Sequence, residues 1–228
     1  MERIKRSHFA WAESHEFKAI LESWIKVQRK YDKEAPKTIV ADGQRWQYRE
    51  RPCIGFLSAA AWKVGGVALE EAHTRKRHGN GRRDLFIRYK DHEFFIEAKH
   101  MYSCSPNACK HGTDEPASWR KEKSYLEREL KKAVKDAKEC LHDGSKRPTK
   151  LGVLFVALFY SPEAIENMER NGVHIPEHFP TWLKRILEIK HLDAYAWQRP
   201  PYSKIKPDKK DPNRWASAGV LLLARRAN

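Results

Sequence analysis

The chain is short of cysteine, of acid relative to base and of long apolar runs, and each shortage excludes a class of protein. Its cysteines, Cys53, Cys104, Cys109 and Cys140 in 228 residues, are too few to build a disulfide framework. No apolar stretch reaches the ~20 residues of a membrane-crossing helix. The opening Met1-Glu2-Arg3-Ile4-Lys5-Arg6 lacks the apolar segment of a signal peptide, so a cytoplasmic protein is expected. Internal repeats, low-complexity tracts, a P-loop and a Gly-x-Ser-x-Gly elbow are all missing. Acid is scarce: 30 Asp and Glu stand against 45 Lys and Arg, a formal charge of +15. A surplus of that size favours polyanions, chiefly nucleic acid, through phosphate contacts and counterion release. Ribosomal and membrane-surface proteins share the property.

What is present supports a sizeable core. At 40% hydrophobic over this length, the chain suits one domain with elaborations. Residues 1–48 read as an N-terminal helical extension packed on the core, and 49–228 as a single globular unit. Phe17, Ile20, Leu21, Trp24 and Tyr31 recur at helical spacing, giving an amphipathic helix from about Glu13 to Tyr31. Thr38 to Tyr48 suggests a small hairpin turning at Asp42-Gly43. Pro52 opens a second helix, roughly Ile54 to Val64, which Gly65-Gly66 ends. Val67 to Arg77 is ambiguous between helix and strand; the strand reading, with a turn at His78-Gly79-Asn80-Gly81, is preferred. A long helix from about Thr113 to Leu141 carries Trp119, Leu126, Leu130, Val134, Ala137 and Leu141 on one face, and Gly144 ends it. Leu151 to Tyr160 is a continuous apolar run of the kind covered on both faces of a sheet. Short helices near 162–171 and 181–190 and strands at Ala194–Trp197 and Ala218–Ala224 follow.

The most informative stretch is Asp84 to Lys99. Two apolar strands flank a polar turn, with an acid opening the first and Glu97-Ala98-Lys99 closing the second. Alternation puts Glu97 and Lys99 on one face and Ala98 on the other. A turn at Asp91-His92, with Lys90 opposite Glu93, sets Lys99 opposite Asp84. The shortened alternative sets Asp84 opposite Glu97, and parity keeps all three on one face in either register. Two carboxylates and an ammonium then converge, which suits a hard divalent cation, with the lysine placed to hold a water or offset charge on a phosphate.

Asp84 followed across a hairpin by Glu97-Ala98-Lys99 resembles the PD-(D/E)XK nuclease superfamily, with its restriction-endonuclease-like fold. Arg83 stands where the name-giving proline would be, a position that varies across that superfamily. The resemblance implies an α/β fold with a mixed sheet: a core of helix, three-stranded meander, helix and strand, here with an extra N-terminal helix and C-terminal strands. It implies Mg²⁺ as cofactor, with Mn²⁺ able to substitute. Asp84 and Glu97 would be metal ligands, the Ala98 carbonyl a further candidate ligand, and Lys99 the residue that orients the attacking water. The expected activity is Mg²⁺-dependent hydrolysis of DNA phosphodiesters, endonucleolytic and on double-stranded DNA. A two-fold dimer is one arrangement for cutting both strands.

Superfamily members often add an upstream glutamate on the first core helix, and Ile54 to Val64 contains none. Glu71 is the candidate, ahead of Glu70 and Glu50. If Arg77 pairs with Arg82, Glu71, His73 and Arg75 share a face with Asp84; in the helix reading Glu71 again points inward. The basic cluster Arg75-Lys76-Arg77 with Arg82-Arg83 sits in the hairpin that delivers Asp84, and is the better candidate for phosphate contact. The proline-rich basic loop from Arg199 to Lys210 is an even choice between phosphate contact and plain surface connection. His100, Cys104, Cys109 and His111 are locally dense enough for a zinc site, but their spacing is not a usual one, and reduced cysteines in a loop are the simpler reading. Two rival functions follow: a non-cleaving nucleic-acid-binding protein of the same fold, and a zinc-stabilised basic interaction module.

Overall fold

The computed structural model describes residues 14–34, 50–76, 79–103, 117–141, 148–160, 191–198 and 216–227, with residues 166, 170, 183, 184 and 186–189 besides. In chain order the elements are α1 (Ser14–Glu34), α2 (Glu50–Lys63), β1 (Val67–Lys76), β2 (Gly79–Tyr89), β3 (His92–Ser103), α3 (Ala117–Glu139), β4 (Thr149–Tyr160), β5 (Ala194–Gln198) and β6 (Ala216–Arg226). They make a mixed α/β fold around one six-stranded sheet of order β1-β2-β3-β4-β6-β5. β1, β2 and β3 form an antiparallel meander, and α3 then carries the chain over so that β4 runs parallel to β3. β6 and β5 pair antiparallel beyond it. No helix among the described residues is long and apolar enough to cross a membrane.

The apolar run of β4 faces two cores, as its lack of alternation requires. Leu151, Val153, Phe155 and Ala157 pack on one side with α1 and α2, where Phe17, Trp24, Cys53 and Leu57 are fully buried. Leu154, Val156, Leu158 and Tyr160 pack on the other with Leu126 and Leu130 of α3. Each fully buried side chain of this size contributes roughly 1.5–3 kcal/mol, so β4 is the strand on which both layers depend. α1 lies on α2 and β5; its buried Phe17, Ile20, Leu21 and Trp24 are the positions its periodicity selects.

Several boundaries differ from the sequence reading. The second helix starts at Glu50 rather than near Ile54, because Pro52, which has no N–H to lose, is tolerated in a first turn. Val67–Lys76 is a strand, as preferred, but Lys76 pairs with Gly79, so Gly79 to Gly81 belong to β2 rather than to the turn. α3 ends at Glu139; its buried face includes Ala133, and Cys140 just past its end is buried, while Leu141 is exposed. The small residues win that face because the helix lies close to the sheet there. The hairpin expected at 38–48, the loop bearing Cys104, Cys109 and His111, the turn residue Arg77 and the basic loop from Arg199 to Lys210 lie outside the described residues.

Candidate active site

The β2–β3 hairpin takes the second of the two expected registers. Tyr89 pairs with His92 and Leu85 with Ile96, leaving Lys90 and Asp91 as the turn, one residue earlier than Asp91-His92. Lys90 adopts φ 53°, the positive value that a two-residue hairpin turn needs at its first position. One step beyond the last pair, Asp84 faces Glu97. There the Asp84 carboxylate accepts the backbone N–H of Ala98 at 2.7 Å between Oδ2 and N. An acid on β2 is thus fixed to the middle residue of Glu97-Ala98-Lys99.

The other two groups of the motif are engaged by α3. Lys99 Nζ lies 2.8 Å from Asp136 Oδ2. Burial works to lower the Lys99 pKa, but the hydrogen bond and charge of Asp136, with Asp84 and Glu50 further off, outweigh it and hold the ammonium above the usual lysine value. Lys99 is therefore a cation at any physiological pH and cannot act as a base in this state. Glu97 is 3% exposed, and the buried Cys140 thiol donates to its Oε1 at 3.2 Å. Asp136 and Cys140 carried no functional expectation; only the placement of α3 over β3, a long-range fact, reveals them.

Of the three upstream acids, Glu50 is within electrostatic reach of both Asp84 and Lys99. Burial and then the charge of Asp84 raise the Glu50 pKa, with Lys99 and Arg51 opposing. Glu71 instead makes ion pairs with Arg51 at 2.6 Å and Arg82 at 2.9 Å. It sits at a kink with φ 51°, between the pairs Glu70–Leu85 and Ala72–Arg83. Glu70 is exposed. Glu50 was legible in principle: a proline in the first turn makes the preceding acid part of the helix and favourable at its N-terminus.

The basic cluster divides. Arg75 and Lys76 close β1. Arg82 is exposed and paired with Glu71. Arg83 lies over the Phe95 ring, 3.6 Å from its centroid, where burial lowers its pKa; it belongs to the half-buried wall beside Glu97. A different basic surface appears on α3, where a groove of about 440 Å³ is lined by Ser124, Glu127, Arg128, Lys131, Lys132 and Lys135. Lys132 is tied to Glu129 at 2.8 Å, whereas Lys131 and Lys135 make no ion pair with any described residue.

The corner is chemically suited to Mg²⁺, which prefers hard oxygen donors and typically takes only one or two carboxylates, completing its shell with water and phosphate oxygens. Asp84 with Glu97 across the ladder or Glu50 beside it meets that requirement. Among the described residues no group of three or more His, Cys, Asp or Glu is placed to hold a metal, and the described cysteines, Cys53 and Cys140, are buried and form no disulfide. Comparison with protein-family models, curated proteins and solved structures finds no match for the chain.

Proposed function

We propose that the chain is a Mg²⁺-dependent nuclease of the PD-(D/E)XK type that hydrolyses DNA phosphodiesters. The observation that carries the reading is the Asp84–Ala98 hydrogen bond, which joins an acid and the Glu97-Ala98-Lys99 tripeptide, distant in sequence, where β2 and β3 stop pairing. The element order agrees with the restriction-endonuclease-like core: helix α2, the β1–β3 meander, helix α3 and parallel strand β4. Glu50, on the first of those helices, supplies the upstream acid that the superfamily often adds.

In this mechanism Asp84, Glu97 and the Ala98 carbonyl would hold Mg²⁺, with Glu50 the further acid, and the bound ion would supply charge neutralisation at phosphorus and a more acidic water. The chain's own groups do the rest. Lys99, kept cationic by Asp136, donates hydrogen bonds that orient the incoming water and offset charge growing on a phosphate oxygen. Asp84, pinned by the Ala98 N–H, keeps its carboxylate in one orientation. The cations Arg128, Lys131, Lys132 and Lys135 along α3 offer the polyanion sequence-independent contacts.

Incubation with plasmid and linear DNA under Mg²⁺, Mn²⁺ or chelator, beside Asp84→Ala and Lys99→Ala, tests the reading. Cleavage that needs the metal and both residues supports it; cleavage that survives both substitutions overturns it. A non-cleaving DNA-binding protein of the same fold is the second reading. It is favoured by the Glu97 carboxylate lying against the Cys140 thiol, and DNA binding without cleavage in any metal would establish it.

A further inference from the structure

Both functional side chains of Glu97-Ala98-Lys99 are held at the C-terminal end of α3, one by its last turn and one by the residue that follows it. Asp136 meets Lys99 at 2.8 Å, and Cys140 meets Glu97 at 3.2 Å. Glu97 and Lys99 are two apart on a strand and leave the same face. Asp136 lies in the last turn of α3, and Cys140, four residues on, is the first residue past the helix, its N–H still bonded to the Ala137 carbonyl at 3.3 Å, so the two stand close to one above the other. Two strand residues advance ~6.6 Å and four residues at a helical rise ~6 Å. The two ladders therefore match when helix and strand run in opposite directions, and one docking position satisfies both contacts.

Gly152 makes that docking position reachable. It is the β4 partner of Glu97, and a Cβ on it would stand 2.3 Å from the Val134 nitrogen and 2.7 Å from the Ala133 carbonyl carbon. Those are backbone atoms that cannot turn aside. The helix rests on the sheet at a distance only glycine permits, directly beside the residue that Cys140 touches.

We propose that Asp136 and Cys140 are positioning residues that clamp the Lys99 ammonium and the Glu97 carboxylate for phosphodiester hydrolysis. The purpose rests on the nuclease reading above; the clamp itself rests on the two contacts. An ammonium has three donors, so one carboxylate partner fixes its direction and leaves capacity for water and phosphate. A carboxylate spreads its acceptor sites over two oxygens, so a thiol at Oε1 restrains its orientation. Neither Asp136 nor Cys140 has to touch DNA or metal to act.

The test uses the full chain carrying Asp136→Asn, Asp136→Glu, Cys140→Ala or Cys140→Ser, each checked for folding by urea unfolding. Nuclear magnetic resonance of ¹⁵Nζ-lysine and ¹³Cδ-glutamate protein observes Lys99 and Glu97 directly. Asp136→Asn should displace the Lys99 ammonium signal and Asp136→Glu partly restore it. Cys140→Ala should displace the Glu97 carboxyl signal and Cys140→Ser, which still donates, restore it. Signals unmoved in all four variants overturn the clamp. In parallel, the single-turnover cleavage rate with Mg²⁺ should fall about 10- to 100-fold in Asp136→Asn and Cys140→Ala, with DNA affinity in Ca²⁺ unchanged. A wild-type rate despite displaced signals overturns the catalytic purpose. Should the unaltered chain cleave no DNA, the nuclease reading fails, and the resonances still decide whether the clamp exists.

Discussion

Asp84 Oδ2 takes the backbone N–H of Ala98 at 2.7 Å, anchoring an acid of β2 to the residue between the Glu97 and Lys99 side chains. Hydrogen bonds to charged groups contribute about 1.5–3 kcal/mol, and partial exposure places this one at the low end. Asp84→Ala should lower the stability measured by urea unfolding by about 1–2 kcal/mol. Asp84→Asn keeps an acceptor oxygen and should cost less, yet both variants should lose cleavage.

Glu50 carries a pH signature. Burial and Asp84 raise its folded pKa above the ordinary 4.5, so between those two values the folded chain binds the proton more tightly than the unfolded chain. Its contribution to stability is complete below about pH 4.5 and is lost as pH rises through the folded value. Glu50→Gln should therefore be more stable than the parent at pH 7–8, with the difference closing on acidification. Thermal unfolding across that range reads it out, and cleavage by the same variant should be impaired.

Glu71 should behave oppositely. Its partners Arg51 and Arg82 are 83% and 64% exposed, and ion pairs of that kind contribute about 0–1 kcal/mol. Glu71→Gln should unfold within about 1 kcal/mol of the parent and keep its cleavage rate. Loss of cleavage at full stability would return the upstream role to Glu71.

Gly152→Ala places a methyl group against the Ala133–Val134 backbone. Overpacking of a close-packed interior typically costs 1–3 kcal/mol, and the variant should lose about that much in urea. Cleavage should fall further than the lost stability explains.

Lys131 and Lys135 line the α3 groove. If each neutralises one phosphate, replacing both with alanine should make the slope of log affinity against log salt shallower by about 1.8, with no change in sequence preference. A slope unaltered within error would remove this face from the DNA path.

Much of the architecture could be read from local pattern. The amphipathic period of α1, the unbroken apolar run of β4 and the paired strands about Lys90-Asp91 reflect burial geometry that acts within a few residues. Asp84, Glu97 and Lys99 were legible for the same reason, since a strand's two-residue period fixes which side chains share a face. What escaped depended on distant packing. Glu50 ranks behind Glu71 in the sequence because a helix begun at Pro52 leaves it outside the element. Arg83, a candidate for phosphate contact in the sequence, lies on Phe95. Asp136 and Cys140 lie off the apolar stripe expected of this helix, because the rotation of α3 is set by the sheet beneath it.

Gly152 leaves α3 a single seat. A bulkier residue beneath the helix, or a ligand prising it from above, would break the Asp136 and Cys140 contacts in one stroke, since both sit at the C-terminal end of α3. Packed interfaces of this kind switch rather than stretch. Substitutions along this seam should accordingly sort molecules into competent and incompetent fractions, lowering the burst amplitude while the molecules still seated turn over at their full speed.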